Sequence, residues 1–395
     1  MFKTLKDFDF KDKRVLIRVD FNVPIDKEGN ITNDSRIKKA LPTIGYVLDK
    51  GARQVILMSH LGEPDKATDE GKKILKMDKV SERLAKLMKK KVEKLDDCVN
   101  VTLPDPKDSR VVMLENLRFY KGEKEDNEGF AKALAGHGDV YVNDAFGTCH
   151  RPHASVHAIM RFLPACAGLL VDKEITIMGK AISDPERPLV AILGFAKISD
   201  KLDLMKNLLQ KVDKALIGGA VVFTFLKSQG FGIGKSLVED GSLKLAKDIL
   251  AEYEDKIILP SDIVVADRIA DDADTKVVGI SGIPEDMMGL DIGPETVKFF
   301  KDQLKNAKTV IWNGPLGKFE TEKFSKGTKD IASFLAKSKA ITIIGGGDTA
   351  AAIEKLRLEK KMTHVSTGGG ASLEFLEGKK LPAIAALEEN ADSFG

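Results

Sequence analysis

The chain has 395 residues, 43% hydrophobic and 31% charged, a soluble globular composition and too long for one ordinary core. Its net charge of +2 supplies no global field for nucleic acid or a membrane surface, so any anion site must be built locally. Met1–Phe10 lacks an apolar signal-peptide run and no later stretch is apolar enough to span a bilayer, while Cys98, Cys149 and Cys166 are scattered without a CxxC pair; this argues against a disulfide or zinc framework and for a reducing, cytoplasmic setting.

Short apolar runs alternate with amphipathic stretches along the chain. Strands are expected at Arg14–Val19, Gln54–Ser59, Val111–Glu115 and Val140–Asn143, with helices at Arg36–Leu48, Lys79–Lys90 and Gly129–Ala135. Helical spacing over Asp172–Ile182, broken by Ser183-Asp184-Pro185 and Pro188, marks a connector. Beyond it, strands at Leu189–Leu193, Ala215–Ile217, Val310–Trp312 and Ile341–Ile344 alternate with helices at Lys201–Gln210, Phe324–Lys337 and Thr349–Lys355. The alternation predicts an α/β protein: two Rossmann-like three-layer α/β/α domains with mainly parallel sheets, joined by a hinge helix. The expected extents are 1–166, a linker at 167–187, and a second domain at 188–382.

Ligands of open α/β sheets bind beyond the carboxyl ends of the strands. The residues of unusual chemistry fall there: Asp20, Asn22, His60, Arg118, Asp144, Gly194–Lys197, Asn313 and Gly345–Asp348. In the second half, Gly345-Gly346-Gly347-Asp348-Thr349 and Gly368-Gly369-Gly370-Ala371-Ser372 each precede helical sequence, where glycines admit close approach and a helix N-terminus offers free N–H groups to an anion. Asp348 is available to Mg²⁺ there. Lys197 and Lys201, four apart, are expected on one helical face within reach of phosphate oxygens. In the first half, Arg36, His60, Arg118 and the His150-Arg151-Pro152-His153 cluster converge from separate loops and suit a small ligand carrying phosphate and carboxylate.

Three other patterns lead elsewhere. Gly234-Lys235-Ser236 resembles the end of a Walker A loop, but Gln229 stands where its first glycine belongs. Gly345-x-Gly347-x-x-Ala350 fits a dinucleotide turn, yet the acidic ribose partner some twenty residues on is missing, which disfavours a dehydrogenase. His150, His153 and His157 invite a zinc reading that Pro152 and the lack of a further ligand disfavour.

Taken together the motifs resemble the phosphoglycerate kinase family over nearly the whole chain: Arg18–Pro24 (RVDFNVP), Ser59–Gly62 (SHLG), Leu114–Phe119 (LENLRF), Val142–Thr148 (VNDAFGT), Ala196–Lys201 (AKISDK), Trp312–Pro315 (WNGP), Gly345–Ala350 (GGGDTA) and Val365–Glu374 (VSTGGGASLE). The resemblance implies reversible transfer from 1,3-bisphosphoglycerate to ADP, giving 3-phosphoglycerate and ATP in glycolysis, with Mg²⁺. It places the triose on the first domain, at Asp20, Asn22, Arg36, His60, Arg118, His150, Arg151 and His153. It places ATP or ADP on the second, at Gly194, Ala196, Lys197, Lys201, Gly219, Asn313, Pro315, Glu320 (ribose), Gly346, Gly347, Asp348 (the metal ligand) and Thr349. Arg36, Lys197, Lys201, Gly347 and Gly370 are implied as catalytic, with closure over a hinge and no covalent intermediate. Residues 383–395 are implied to return to the first domain, and the molecule is expected to be a monomer without nucleic-acid or membrane partners.

Four departures stand out against the family pattern. Glu63 follows SHLG where the family has a triose-binding arginine; an anion there is expected to weaken triose binding, with Lys66 as compensation. Phe195 replaces a glycine and Ala220-Val221 replaces Gly-Met near the nucleoside, while Cys149 and Pro152 flank His150 in place of alanines. These changes admit a second reading, a ligand-binding homologue with weakened kinase activity.

Overall fold

Strand β1 (Arg14–Val19) reads Arg-Val-Leu-Ile-Arg-Val and is buried on both faces from Val15 onward, as in a parallel sheet covered on each side. A computed structural model describes residues 2–394; Met1 and Gly395, the outer ends of the expected first domain and its returning tail, lie outside the described residues. The chain divides into two units, one running up to Thr176 and resuming at Lys380, the other spanning Ile177–Lys379. The first partition falls inside the helix Leu169–Ser183, within the connector segment 167–187.

In the first unit β1 is followed by β2 (Gln54–Met58), β3 (Glu93–Lys94), β4 (Val111–Met113), β5 (Val140–Asp144) and β6 (Ala165–Ala167). The six strands are parallel, in the order β3-β4-β2-β1-β5-β6. Val15, Ile17 and Val19 alternate onto one face, where they meet Ile37, Ile44 and Val47 of the helix Ser35–Asp49. The three- and four-residue spacing of that helix's apolar side chains puts them on a single stripe. The chain leaves β1 toward β2 on one side and places β5 on the other. This reversal opens a crevice beyond the carboxyl end of β1.

The first unit is completed by the helix Pro382–Ser393, which starts with proline at its first turn. Its Asn390 is buried: Oδ1 accepts from Ala165 N at 2.8 Å, and Nδ2 donates to Leu163 O at 2.8 Å and Met160 O at 2.5 Å. Asn390→Ala would leave three buried backbone groups unpaired. We expect it to cost about 2–4 kcal/mol of stability, measured by denaturant unfolding; a loss under about 0.5 kcal/mol would contradict this account of the tail.

In the second unit β7 (Leu189–Gly194), β8 (Lys214–Gly218), β9 (Ile257–Ile258), β10 (Asp262–Ala266), β11 (Thr275–Gly279), β12 (Met288–Ile292), β13 (Thr309–Asn313), β14 (Ile341–Gly345) and β15 (His364–Val365) form two sheets. The larger is parallel, in the order β15-β14-β13-β7-β8-β9, and its order reverses between β7 and β13. Trp312, Ile192 and Ile344 pack there against Phe300, Ile331 and Ile353 from the covering helices. The smaller sheet, β11-β10-β12, is antiparallel and does not follow from the sequence reading above.

Candidate active site

The loops that follow β1, β2 and β4 are laced together by their own polar side chains. Ser59 Oγ accepts from Phe21 N at 2.9 Å, Asn22 Oδ1 from Gly62 N at 2.8 Å, and Asn116 Oδ1 from Leu61 N at 3.2 Å. On this frame sits a cluster of cations. Arg36, in the first turn of its helix, pairs through Nη1 with Asp20, whose other carboxylate oxygen accepts from Asn22 N. Arg118 is almost entirely buried; Nη1 donates to Gly62 O at 2.9 Å and to Glu63 Oε1 at 2.6 Å, while its Nε has no hydrogen-bond partner.

The electrostatics follow from this crowding. Burial, reinforced by Arg18, Arg118, Arg36 and His153, holds His60 well below the ordinary histidine range. Burial, with Arg118, Arg18, Arg151 and Lys124 around it, pushes His153 down to about 4. Both rings are therefore neutral near pH 7. Arg151 is exposed and its Nε donates to His150 Nε2 at 3.1 Å. The structure thus gathers Arg36, His60, Arg118, Arg151 and His153 into one electropositive patch. Asp20 and Asn22 serve it as partners that hold Arg36 and the Gly62 loop.

Two expectations, for Asp144 and Lys66, are corrected here. Asp144 does not face the cluster: it is buried, accepts from Leu170 N at 2.9 Å at the start of the helix Leu169–Ser183, and burial pushes it up to about 7. His157 Nδ1 is committed to Asp126 at 2.6 Å. Lys66 is exposed and makes no ion pair with Glu63; the second cation on that carboxylate is Lys124, which also meets Asp65 at 2.8 Å. Partial burial opposes ionisation of Glu63, but Lys124 and Arg118 hold its carboxyl below the usual range. Cys149 is buried and its Sγ lies 3.5 Å from Ala145 O, a packing role that accommodates the replacement.

In the second unit the strand order reverses where β7 and β13 end side by side. A Cβ on Gly194 would meet Pro315 O at 2.1 Å and one on Gly314 would meet Gly194 O at 1.4 Å, so only glycines let these two turns touch. Beside them Gly346, at φ +85°, turns β14 into the helix Gly347–Lys355, and Gly369, at φ +50°, opens the helix Gly370–Leu376. Neither helix has a side-chain cap, which leaves N–H groups of the first available, whereas in the second Ala371 N is already taken by Gly368 O at 2.9 Å. Asn313 is buried at the end of β13, and its Nδ2 has no partner. An anion at the Gly346 turn would meet unsatisfied donors.

A cavity of about 450 Å³ opens at the same strand ends. Gly194, Ala196, Gly219, Pro315, Glu320 and Asp348 line it, and Phe195, Phe223, Leu237 and Ile269 give it an apolar wall. Leu237 and Ile269 are 53% and 52% exposed, among the most exposed large apolar side chains of the described residues. One side is built by β12, from Met288 to Ile292. Phe195 and Ala220 both border the cavity, and Val221 N donates to Phe195 O at 2.8 Å.

The lysines are placed differently from expectation. Lys197 lies in the loop after β7 and Lys201 ends the short turn Ser199–Lys201, with the α-helix beginning only at Leu202, so no common helical face carries them. The chain stays open because Phe195 must bridge to Val221, and Ser199 N is taken by Glu239 at 3.2 Å. Lys197, Lys201 and Gly370 do not line the cavity. Thr349 is buried and its hydroxyl accepts from Gly314 N at 2.6 Å, which pins the oxygen against that turn and leaves the O–H to donate.

The sequence pattern of one family, phosphoglycerate kinase, matches residues 5–379. The chain belongs to the phosphoglycerate kinase family. Phosphoglycerate kinases from Chloroherpeton thalassium and Dictyoglomus turgidum are 54% and 51% identical to it, each alignment covering 98% of both chains. Among solved structures, phosphoglycerate kinase from Coxiella burnetii superposes with a TM-score of 0.89 at 41% identity, over the whole of both chains. That from Pyrococcus horikoshii OT3 gives 0.85 at 32% identity, again over both whole chains. The α/β architecture, with a six-stranded parallel sheet in each unit, is thus that of the phosphoglycerate kinases.

Within this frame, Lys124 is a cation of the first unit's cluster that sequence reasoning missed. It sits in an ordinary charged run, Lys121-Gly122-Glu123-Lys124, and only the fold brings it to Glu63. Arg18 was legible in principle, as a charge in the middle of an apolar strand.

Proposed function

We propose that this chain is an active phosphoglycerate kinase that transfers a phosphoryl group between 1,3-bisphosphoglycerate and ADP. The observation that carries the reading is Arg118: a buried guanidinium with an unpartnered Nε, facing Glu63 and set beside Arg36, His60 and His153. Glu63 already answers Nη1, and a phosphate or carboxylate of the triose would supply an acceptor for the Nε left over. The nucleotide takes the second unit. Its base and ribose fill the cavity walled by Phe195, Leu237 and Ile269, with Glu320 at the ribose, and its phosphates extend to the Gly346 turn and Asn313.

Asp348 is exposed at the start of the helix Gly347–Lys355 and borders the cavity. A lone carboxylate fits Mg²⁺ that draws its remaining ligands from nucleotide phosphate oxygens and water. When bound, the ion would neutralise charge on those oxygens. Arg36 stabilises negative charge on the transferring group from the triose side, Lys197 does so from the nucleotide side, and donor and acceptor oxygens must be brought into line. No helix of the described residues is long and apolar enough to cross a membrane.

Phosphorus NMR of the purified protein with Mg²⁺, ATP and 3-phosphoglycerate should show ADP and an acyl phosphate. Replacing the triose by glycerol 3-phosphate, which lacks the carboxylate, should abolish both. ADP formed equally without a carboxylate acceptor would overturn the assignment.

Glu63 tunes the affinity. A ligand anion that reaches Arg118 Nη1 must displace Glu63 Oε1, 2.6 Å away. With Glu63 over a third exposed, the competition is worth about 0.5–1.5 kcal/mol. Glu63→Gln should therefore lower the KM for 3-phosphoglycerate by about 3–10-fold with kcat little changed. An unchanged or raised KM in steady-state assays would mean that Glu63 orders the loop and does not compete with substrate.

A further inference from the structure

Beneath the cation cluster lies a buried charged network. Arg18 is fully buried within β1, and its nitrogens are committed in three directions: Nε donates to Ser155 Oγ at 2.8 Å, Nη1 to Val19 O, and Nη2 lies 3.0 Å from His60 Nδ1. Glu123, also fully buried, stands 3.8 Å from Nη2 and accepts from Ser155 N at 3.0 Å and Ser155 Oγ at 2.6 Å. Ser155 can satisfy both neighbours only by accepting from the guanidinium and donating to the carboxylate.

A guanidinium has donors and no acceptor, so His60 Nδ1 must be the acceptor in the 3.0 Å contact. The proton of the neutral ring then lies on Nε2, on the side away from Arg18. We propose that Arg18, held by Glu123 and Ser155, is a positioning residue that fixes His60 as a neutral imidazole donating through Nε2–H. A protonated ring would set donor against donor across the contact. The charged and titratable groups around it are Arg18, Arg118, Arg36 and His153, every one of which opposes a second positive charge. Glu123 offsets Arg18 and lies 3.9 Å from His153 Nδ1, with no contact to His60. The ring thus offers one directed hydrogen bond to an anion without adding charge. That this anion is the triose rests on the kinase reading; the tautomer does not.

Long-range ¹⁵N NMR of the histidine rings in the full-length protein, with His60 assigned by loss of its signal in His60→Gln, tests the proposal. The expected spectrum is a single neutral Nε2–H tautomer that persists from about pH 5 to 8, where an ordinary histidine titrates. A His60 ring protonated within that range, or carrying its proton on Nδ1, would overturn it. The double variant Arg18→Met/Glu123→Gln removes both buried charges together. In it, His60 should lose its single tautomer and begin to titrate, and the KM for 3-phosphoglycerate should rise about 10-fold with a smaller fall in kcat. A folded double variant whose His60 spectrum matches the parent would also reject the proposal. Should the double variant fail to fold, the parent's spectrum still decides. The expected tautomer in a protein without kinase turnover would leave the proposal standing and reject the kinase reading alone.

Discussion

Arg36→Ala should lower kcat by about 10³-fold while leaving the protein folded. The side chain is one-third exposed in the first turn of the helix Ser35–Asp49, and among the described residues its one ion pair is with Asp20. Removing it creates no cavity, and the carboxylate it leaves behind already accepts from Asn22 N. Stability should therefore change by about 1 kcal/mol or less. The catalytic loss is expected to be large because the guanidinium would present a rigid fork to a group whose charge spreads over several oxygens as transfer proceeds. Arg36→Lys keeps the charge but loses the fork, and should recover only part of the rate. Stopped-flow or steady-state turnover, with the melting temperature recorded alongside, checks both halves. Normal kcat in Arg36→Ala would remove Arg36 from the mechanism.

Lys197→Ala should reduce kcat by about 10²-fold with no measurable loss of stability. Lys197 is exposed in the open loop after β7, where its flexible stem can follow phosphate oxygens as a point charge. The backbone around it is fixed independently, by Val221 N on Phe195 O and Glu239 on Ser199 N. The substitution therefore deletes a charge and nothing structural. If ATP KM rises while kcat is retained, Lys197 binds nucleotide without stabilising the transferring group. If neither changes, the loop's role in the second unit has been misread.

The fold was legible wherever a local pattern decided it. The strand at Arg14–Val19 was placed to the residue, and the other expected strands differ from the observed ones by one or two positions at their ends, because continuous apolar runs between helical stripes leave little freedom. The antiparallel strands β10–β12 were not legible. Thr275–Gly279 is an exposed edge with no apolar alternation, and Met288–Ile292 interleaves glycine and aspartate with its apolar residues. Yet β12 supplies one wall of the cavity, so part of the proposed nucleoside site escaped a reading based on motifs. The two-residue edge strands β3, β9 and β15 carry too little sequence to show a period.

The candidate site divides in the same way. His60, Arg118 and the glycine turns stand in the loops after strands, and Arg36 in the first turn of a helix, where spacing and topology announce them. The partners of Glu63 were not announced. Lys66 is near in sequence, but the short turn Pro64–Lys66 leaves it exposed, and Lys124, sixty-one residues on, takes the contact. Helical spacing likewise misled for Lys197 and Lys201, because tertiary hydrogen bonds keep residues 195–198 out of the helix. Interactions set by long-range packing leave no periodic trace in the chain.

A coupled assay of the purified protein with ATP, Mg²⁺ and 3-phosphoglycerate, run beside Arg36→Ala, tests the central claim most directly. Sustained turnover that requires both substrates, and that Arg36→Ala loses almost completely, is expected. Turnover no better than that of the Arg36→Ala protein would contradict it.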